Sequence, residues 1–233
     1  MPSDTRMVAP IITILYEDAD LLVADKPAGL VIHPACKHPD GTLFDLVSAS
    51  LQARGDVRPC LLHRLDKDTS GAILLAKTEH ARRSLVRQFE QRVIRKTYLA
   101  LICGQLVPAS GQIDAPLRRD SANRRRMQID PQGQPARTDY QTLRALAPAF
   151  SLVELHPITG RMHQLRVHLA ALNAPIVGDT LYAEPARWAP LTPSRQCLHA
   201  RALTFQHPTT GERLSVVSPL PADMQAMLAA LTQ

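Results

Sequence analysis

An α+β fold with a mixed sheet is what the order of elements along this 233-residue chain predicts. Three observations point there. Segments of strand formers and segments of helical periodicity are interspersed, without the strict alternation of a doubly wound parallel fold. The strand-like runs are short, apolar and bounded by Gly, Pro, Asp or Asn. The helical segments carry start and stop residues at their ends.

Taken in order, residues 11–15 (IITIL) and 21–24 (LLVA) read as strands joined by an acidic turn, Glu17 to Asp20. Lys26-Pro27-Ala28-Gly29 is a turn. Residues 42–53 put Leu43, Leu46, Val47 and Leu51 on one helical face, started by Gly41-Thr42. A short CLL run at 60–62, the loop HRLDKDTSG and an apolar strand at 72–76 (AILLA) follow. Residues 79–92 form a helix with a stripe of Leu85, Val86, Phe89 and Val93. The stretch 96–102 is rich in strand formers. Residues 106–137, broken by three further prolines after Pro108 and by two glycines, read as a polar loop. Strands are expected at 137–145 and 150–156. A helix is expected from Arg161 to Leu172, begun by Thr159-Gly160 and stopped by Asn173-Ala174-Pro175. Late strands near 201–206 and 213–217 precede a terminal amphipathic helix from about 222.

Composition narrows the function classes. Hydrophobic residues make up 45% and charged residues 21%, the balance of a folded chain rather than a disordered or fibrous one. No apolar run approaches the roughly 18–20 residues that would cross a bilayer. The N-terminus lacks a charged-then-apolar signal layout, and the expected location is the cytoplasm. A formal charge of +6 favours a polyanionic partner. The cysteines at 36, 60, 103 and 197 form no C-x-x-C pair and suit a reducing compartment. His33, Cys36 and His38 are interrupted by Pro34 and Pro39 with no second ligand pair nearby, so no metal is expected.

The chemistry is concentrated in HRLDKDTSG, residues 63–71, where Asp66 stands among His63, Arg64 and Lys67. A kinase catalytic loop is excluded: Leu65 separates Arg64 from Asp66, and no glycine-rich nucleotide loop or D-F-G accompanies it. Asp68-Thr69-Ser70-Gly71 carries one residue too many for an aspartic-protease triplet. An Asp66–Asp68 glycosidase pair needs one protonated acid, which the surrounding cations disfavour. In RMHQLRVHLAAL, residues 161–172, Met162, Leu165, Leu169 and Leu172 form an apolar stripe with Arg166 on its border. A buried guanidinium needs an acceptor, and this helix holds no Asp or Glu. The proposed partner is Asp66, in a bidentate pair that would aim the carboxylate and hold it charged. The alternatives are a structural pair with Asp179 or a side chain that reaches solvent.

Arg118, Arg119, Arg124, Arg125 and Arg126 fall within nine residues on a Pro/Gly-rich segment, a candidate phosphate clamp. Few aromatics argue against a general single-strand stacking platform. His163 and His168 are five residues apart and so do not share a face as H-x-x-x-H ligands do; they read as hydrogen-bonding braces.

These motifs together resemble the RluA family of RNA pseudouridine synthases. The likeness runs from about Ile11 to Pro221: ILYEDADLLVADKPAGLVIHP, HRLDKDTSGAILLAKT, QFEQRVIRKTYLALICG, PITGRMHQLRVHLAALNAPIVGD and CLHARALTFQHPTTGE. HRLD-x-x-T-S-G and GR-x-HQLR-x-H, in this order and at this distance, are its specific signatures.

The resemblance implies the pseudouridine synthase fold, a mixed and largely antiparallel bent sheet with flanking helices around a central basic cleft. It implies a tail at 1–10 and one catalytic domain of two lobes at 11–233. It implies isomerisation of selected uridines in 23S ribosomal RNA, transfer RNA or both, by a monomer acting on RNA and not DNA, without a cofactor. Carried over by position, Asp66 is the catalytic aspartate, Tyr98 stacks on the target base and Arg166 is the salt-bridge partner of Asp66. Arg64 contacts RNA, with His63, His163 and the loop arginines Arg118, Arg124 and Arg125 as further RNA-binding candidates. Many members carry a small RNA-binding domain ahead of the catalytic one; about ten residues precede the first matched strand here, which suggests the compact branch. The rival expectations are a non-catalytic RNA-binding or ribosome-assembly factor on the same scaffold, and an N-glycosidase that stops after bond cleavage.

Overall fold

The computed structural model describes residues 12–34, 39–55, 58–146 and 149–232. The expected tail, and Cys36 and His38 of the weighed metal set, lie outside these residues. Among the described residues no group of His, Cys, Asp or Glu is placed to hold a metal, and no helix is long and apolar enough to cross a membrane.

The elements follow in the order β1 (Thr13–Glu17), β2 (Leu21–Lys26), α1 (Leu43–Gln52), β3 (Cys60–Leu61), β4 (Ser70–Ala76), α2 (Glu79–Glu90) and β5 (Arg95–Cys103). Then come β6 (Ser110–Asp114), β7 (Leu117–Arg119), β8 (Met127–Ile129), β9 (Arg137–Leu146), β10 (Phe150–Pro157) and α3 (Gln164–Ala171). A 3-10 turn (Pro185–Trp188), β11 (Leu198–Gln206), β12 (Arg213–Val217) and α4 (Ala222–Ala230) complete the chain. The main sheet runs β1-β2-β4-β11-β5-β10-β9-β6, with β3 also on β4 and β12 also on β11, while β7 and β8 form a separate hairpin. Only the β4–β11 pairing is parallel among these; the others are antiparallel.

The period-2 geometry of strands explains the two sides of the core. Leu22 and Ala24 of β2, with Ile73 and Leu75 of β4, face α1 through Leu43, Val47 and Leu51. Leu21 and Val23, with Ala72, Leu74 and Ala76, face α2 through Ala81 and Leu85. Every residue of β4 is buried, because helices cover both faces. That is why AILLA reads as a continuous apolar run instead of an alternating one. Helix α1 starts at its cap Thr42, as expected, and Thr42 and Asp45 close a capping box there. Met224, Met227, Leu228 and Leu231, spaced as one helical stripe, seat α4 on the larger core cluster.

Four expectations change. Residues 106–137 are not one loop but carry β6, β7 and β8; β6 is an edge strand on β9, and three- to five-residue edge strands have too little alternation to show in a polar sequence. The helix expected from Arg161 begins at Gln164, because Thr159 and the Arg161 N–H both bond the Gln164 side chain instead of capping a helix at 161. Its apolar stripe is therefore shorter: Met162 precedes the helix, Leu172 is 42% exposed, and Val167 is buried on another side against Leu117 and Ala136. Val93 lies beyond the end of α2 and is 40% exposed, so it does not complete that stripe.

Candidate active site

Asp66 sits on a loop whose backbone is held from three directions. The Thr69 N–H donates to the Asp66 carbonyl at 3.1 Å. The next carbonyl, Lys67, accepts from the Gly29 N–H at 3.0 Å and from Lys26 Nζ at 2.7 Å. Asp68's carbonyl accepts from Arg195 Nη1 at 3.0 Å. Lys26 is wholly buried and donates also to the carbonyls of Pro27 and Leu30; burial pushes its pKa down to about 7. Arg195 is buried as well and pairs with Asp223 of α4 at 2.6 Å. The Ser70-Gly71 end of the motif, expected as part of the loop, is the start of β4. A Cβ on Gly71 would stand 2.2 Å from the Ala200 carbonyl oxygen, so only glycine lets β4 approach β11 there.

The Asp66 carboxylate faces Arg166 of α3. Arg166 Nη1 donates to Asp66 Oδ2 at 3.1 Å. The bidentate half of the guanidinium goes elsewhere: Nε and Nη2 donate to Asp179 Oδ2 and Oδ1 at 2.6 and 2.8 Å. The expected bidentate pair with Asp66 is thus corrected to a single bond, and Asp179, weighed as an alternative partner, is bound at the same time. The reason is geometric. A planar fork presents two parallel N–H groups to one carboxylate and leaves one nitrogen for another. Burial opposes the Arg166 charge, but the bonds to Asp179 and the charges of both carboxylates outweigh it and raise its pKa.

Tyr182, which sequence reasoning did not single out, ties this cluster together. Its hydroxyl accepts from the Met127 N–H at 2.8 Å and lies 2.8 Å from His163 Nδ1. Where the Tyr182 hydroxyl donates to Nδ1, the His163 proton is on Nε2. That nitrogen is 3.8 Å from Asp66 Oδ2. Burial lowers the His163 pKa, so the ring is neutral near pH 7. The guanidinium carbons of Arg166 and Arg126 lie 5.1 and 5.3 Å from the centre of the Tyr182 ring. His163 holds a left-handed backbone, φ 53°, at the start of α3, which aims its side chain back toward the loop.

Asp66, Tyr98, Arg166, His63, Arg64 and His163 all line one open cavity of about 610 Å³. Tyr98, on β5, is nearly buried, and burial followed by the charge of Asp66 raises its phenol pKa. Arg64 is exposed at the rim. His63 is committed to structure: Nε2 accepts from the Leu74 N–H at 3.0 Å, the ring packs 5.2 Å from that of Phe89, and burial lowers its pKa to about 3. Its proton is therefore on Nδ1. Arg118, Arg124 and Arg125 do not line the cavity. They stand exposed on the β7–β8 hairpin, with Arg118 3.6 Å from Asp130. The hairpin adjoins the cavity through Arg119, which contacts Met162 at its lip, and through Met127 and Arg126 on Tyr182. His168 is a buried brace on Thr138 and the Ala115 carbonyl, as expected.

Lys26, Asp179, Tyr182 and Arg195 were not among the site residues expected from sequence. The signal that bears on them is a buried arginine on a helix without an acid. It predicts an outside carboxylate and does not choose which.

Comparison with known proteins follows the same geometry. Residues 20–171 match the family described as RNA pseudouridylate synthase. The chain is 47% identical over 207 residues to an uncharacterized RNA pseudouridine synthase of Chloroflexus aurantiacus, covering 88% of this chain and 64% of that protein. It is 41% identical over 233 residues to the ribosomal large subunit pseudouridine synthase D of Xanthomonas campestris, covering 95% of this chain and 70% of that one. This chain thus spans about two thirds of the length of these relatives. Among solved structures, human RNA pseudouridylate synthase domain containing 4 superposes with a TM-score of 0.76 at 30% identity, over 94% of this chain and 92% of that one. Human RNA pseudouridylate synthase domain containing 1 gives 0.75 at 31%, over 96% of each chain. With a match that runs from β2 to the end of α3, and relatives above 40% identity, this chain belongs to the RNA pseudouridylate synthase family.

Proposed function

We propose that this chain isomerises selected uridines in RNA to pseudouridine, with Asp66 as the catalytic carboxylate. The observation that carries this reading is the Arg166–Asp66 contact at 3.1 Å inside a cavity that Tyr98 also lines. Five cations and two acids line that cavity, Arg64, Arg92, Lys96, Arg161 and Arg166 against Asp66 and Glu90, a balance suited to a polyanion.

The reaction breaks the uracil N1–C1′ bond and rejoins the ring through C5. Uracil leaves as a stabilised anion that keeps the bonding electrons, so no strong general acid is required. One carboxylate suffices, as nucleophile at C1′ or as base at C2′. After C5 attacks C1′, the C5 proton is lost and N1 gains one, which balances the isomerisation. The target atoms lie inside a stacked strand, so the nucleotide is flipped into the cavity, where Tyr98 takes the base by its face. Arg64 and His163 border the flipped nucleotide, and the exposed hairpin arginines Arg118, Arg124 and Arg125 hold flanking phosphates. No step calls for a cofactor.

The ribosomal large subunit synthases among the relatives support 23S ribosomal RNA as substrate, and transfer RNA is the second candidate. The reading assigns the work to residues 11–233 as one catalytic unit, acting as a monomer in the cytoplasm. The test is incubation with unmodified ribosomal and transfer RNA, then carbodiimide mapping or mass spectrometry. Wild type converts a defined uridine and Asp66→Asn does not. Full turnover by the variant would remove Asp66 from its role. Free uracil in place of pseudouridine would turn the reading to an N-glycosidase, and RNA binding without conversion would turn it to an assembly factor.

A further inference from the structure

Lys96 is the second residue of β5, two before Tyr98, and lines the same cavity. Among the described residues its Nζ has one hydrogen-bond acceptor, the Thr159 carbonyl at 3.3 Å, and no carboxylate within ion-pair distance. Arg166, in the same cavity, is matched by two carboxylates, and Lys26, which holds the Asp66 loop at the Lys67 carbonyl, by three carbonyls. Gly160 stands beside it, and a Cβ there would lie 3.8 Å from Nζ. The missing side chain leaves that approach to the ammonium open. A cation withdrawn from water without a counter-charge is costly, and an arriving anion removes the cost.

We infer that Lys96 and the adjoining Gly160 turn form a subsite for a backbone phosphate next to the flipped uridine. This rests on the synthase reading above and deepens it. The hairpin arginines lie outside the cavity, so they engage phosphates farther along the strand, whereas Lys96 sits on the strand that carries Tyr98. A base carbonyl is the other acceptor a lysine could take, but the lining favours phosphate: Arg92 and Arg161 border the same cavity, and with Arg166 already bonded to Asp66 the one other acid of the lining is Glu90.

Burial lowers the Lys96 pKa to about 8. Its charge is present below that pH and lost above it. His63, Asp66 and Arg166, with Arg64, Tyr98 and His163, complete the charged and titratable lining, and burial raises the Tyr98 pKa so that its phenol keeps its proton. His63 and His163 have lowered pKa values and stay neutral in this range.

The experiment compares wild type, Lys96→Met and Lys96→Arg on unmodified RNA, from below to well above pH 8, with kcat and KM separated. Lys96→Met should raise KM about tenfold or more, with the loss falling mainly on KM, and should flatten the slope of log affinity against log salt by about 0.7. Wild-type kcat/KM should fall as pH passes about 8. Lys96→Arg should restore KM and lack that fall, because a guanidinium keeps its charge. Titration of the uracil itself is common to all three and cancels. The subsite is overturned if Lys96→Met leaves KM and the salt slope unchanged, or if the loss falls on kcat and wild-type rate rises with pH, as for a proton acceptor. A KM effect without a change in salt slope assigns Lys96 to the base and also overturns the phosphate subsite. Wild-type reactions without pseudouridine overturn the synthase reading itself, and this inference with it.

Discussion

Asp179 binds two of the three guanidinium nitrogens of Arg166, at 2.6 and 2.8 Å, and so decides which nitrogen remains for the loop that carries the candidate catalytic acid. Asp179 is 1% exposed and the Arg166 side chain 8%. The orientation of the Asp66 contact is thus set by a residue that does not touch the cavity.

Asp179→Asn leaves a buried guanidinium short of a charge partner. Breaking such a pair costs about 3–5 kcal/mol, which denaturant unfolding will read. Pseudouridine formation should fall further than the folded fraction does, because Nη1 is no longer aimed at Asp66. A variant with wild-type turnover per folded molecule would show that Asp66 needs no such aim.

Tyr182→Phe removes the acceptor of the Met127 N–H and the partner of His163 Nδ1 while keeping the ring under both guanidinia. The stability cost should be about 1 kcal/mol. Nitrogen NMR should show the His163 proton on Nε2 in wild type and spread over both ring nitrogens in the variant. An unchanged tautomer would mean that Tyr182 does not set it.

His63 produces a pH dependence of stability with a defined sign. Its pKa is 6.5 unfolded and about 3 in the fold, lowered by burial. Above pH 6.5 both states are neutral and the group contributes nothing to the slope. As pH falls from 6.5 toward 3, the unfolded chain binds a proton that the fold refuses, and stability drops by at most about 1.4 kcal/mol per pH unit. His63→Gln keeps an acceptor for the Leu74 N–H without titrating, so its stability curve should be flatter across that window. Parallel curves for the two proteins would contradict the burial of the ring.

Arg124 and Arg125 are exposed at the tip of the β7–β8 hairpin. If each holds one phosphate, Arg124→Ala and Arg125→Ala should each flatten the salt slope of RNA affinity by about 0.7 and spare folding stability. Slopes equal to wild type in both would place the flanking phosphates elsewhere.

Much of this molecule was legible from local pattern. The apolar runs of β2 and β4, the Thr42 start of α1 and the Asn173 stop of α3 are set by short-range chemistry: side-chain period, a capping hydroxyl, a residue that tolerates a left-handed backbone. The isolated Arg166 on an acid-free helix announced a carboxylate from outside. The β6, β7 and β8 strands were not legible, because their stability comes from partners and not from their own three to five residues. The beginning of α3 was misplaced because Thr159 and Gln164 bond each other, a contact that competes with capping and leaves no mark on periodicity.

By itself the sequence marked most of the strands and helices and where they stop, and it put forward Asp66, Tyr98 and Arg166 as the candidates for the chemistry. Tertiary structure alone decided how a fork is shared between Asp66 and Asp179, which ring nitrogen of His163 faces Tyr182, and that among the described residues no carboxylate comes within ion-pair reach of Lys96. The physical reason is distance along the chain. Arg166 and Asp66 are 100 residues apart, and a charge's choice of partner depends on where the folded backbone brings its neighbours, on burial and on bond geometry, none of which a local window of sequence contains.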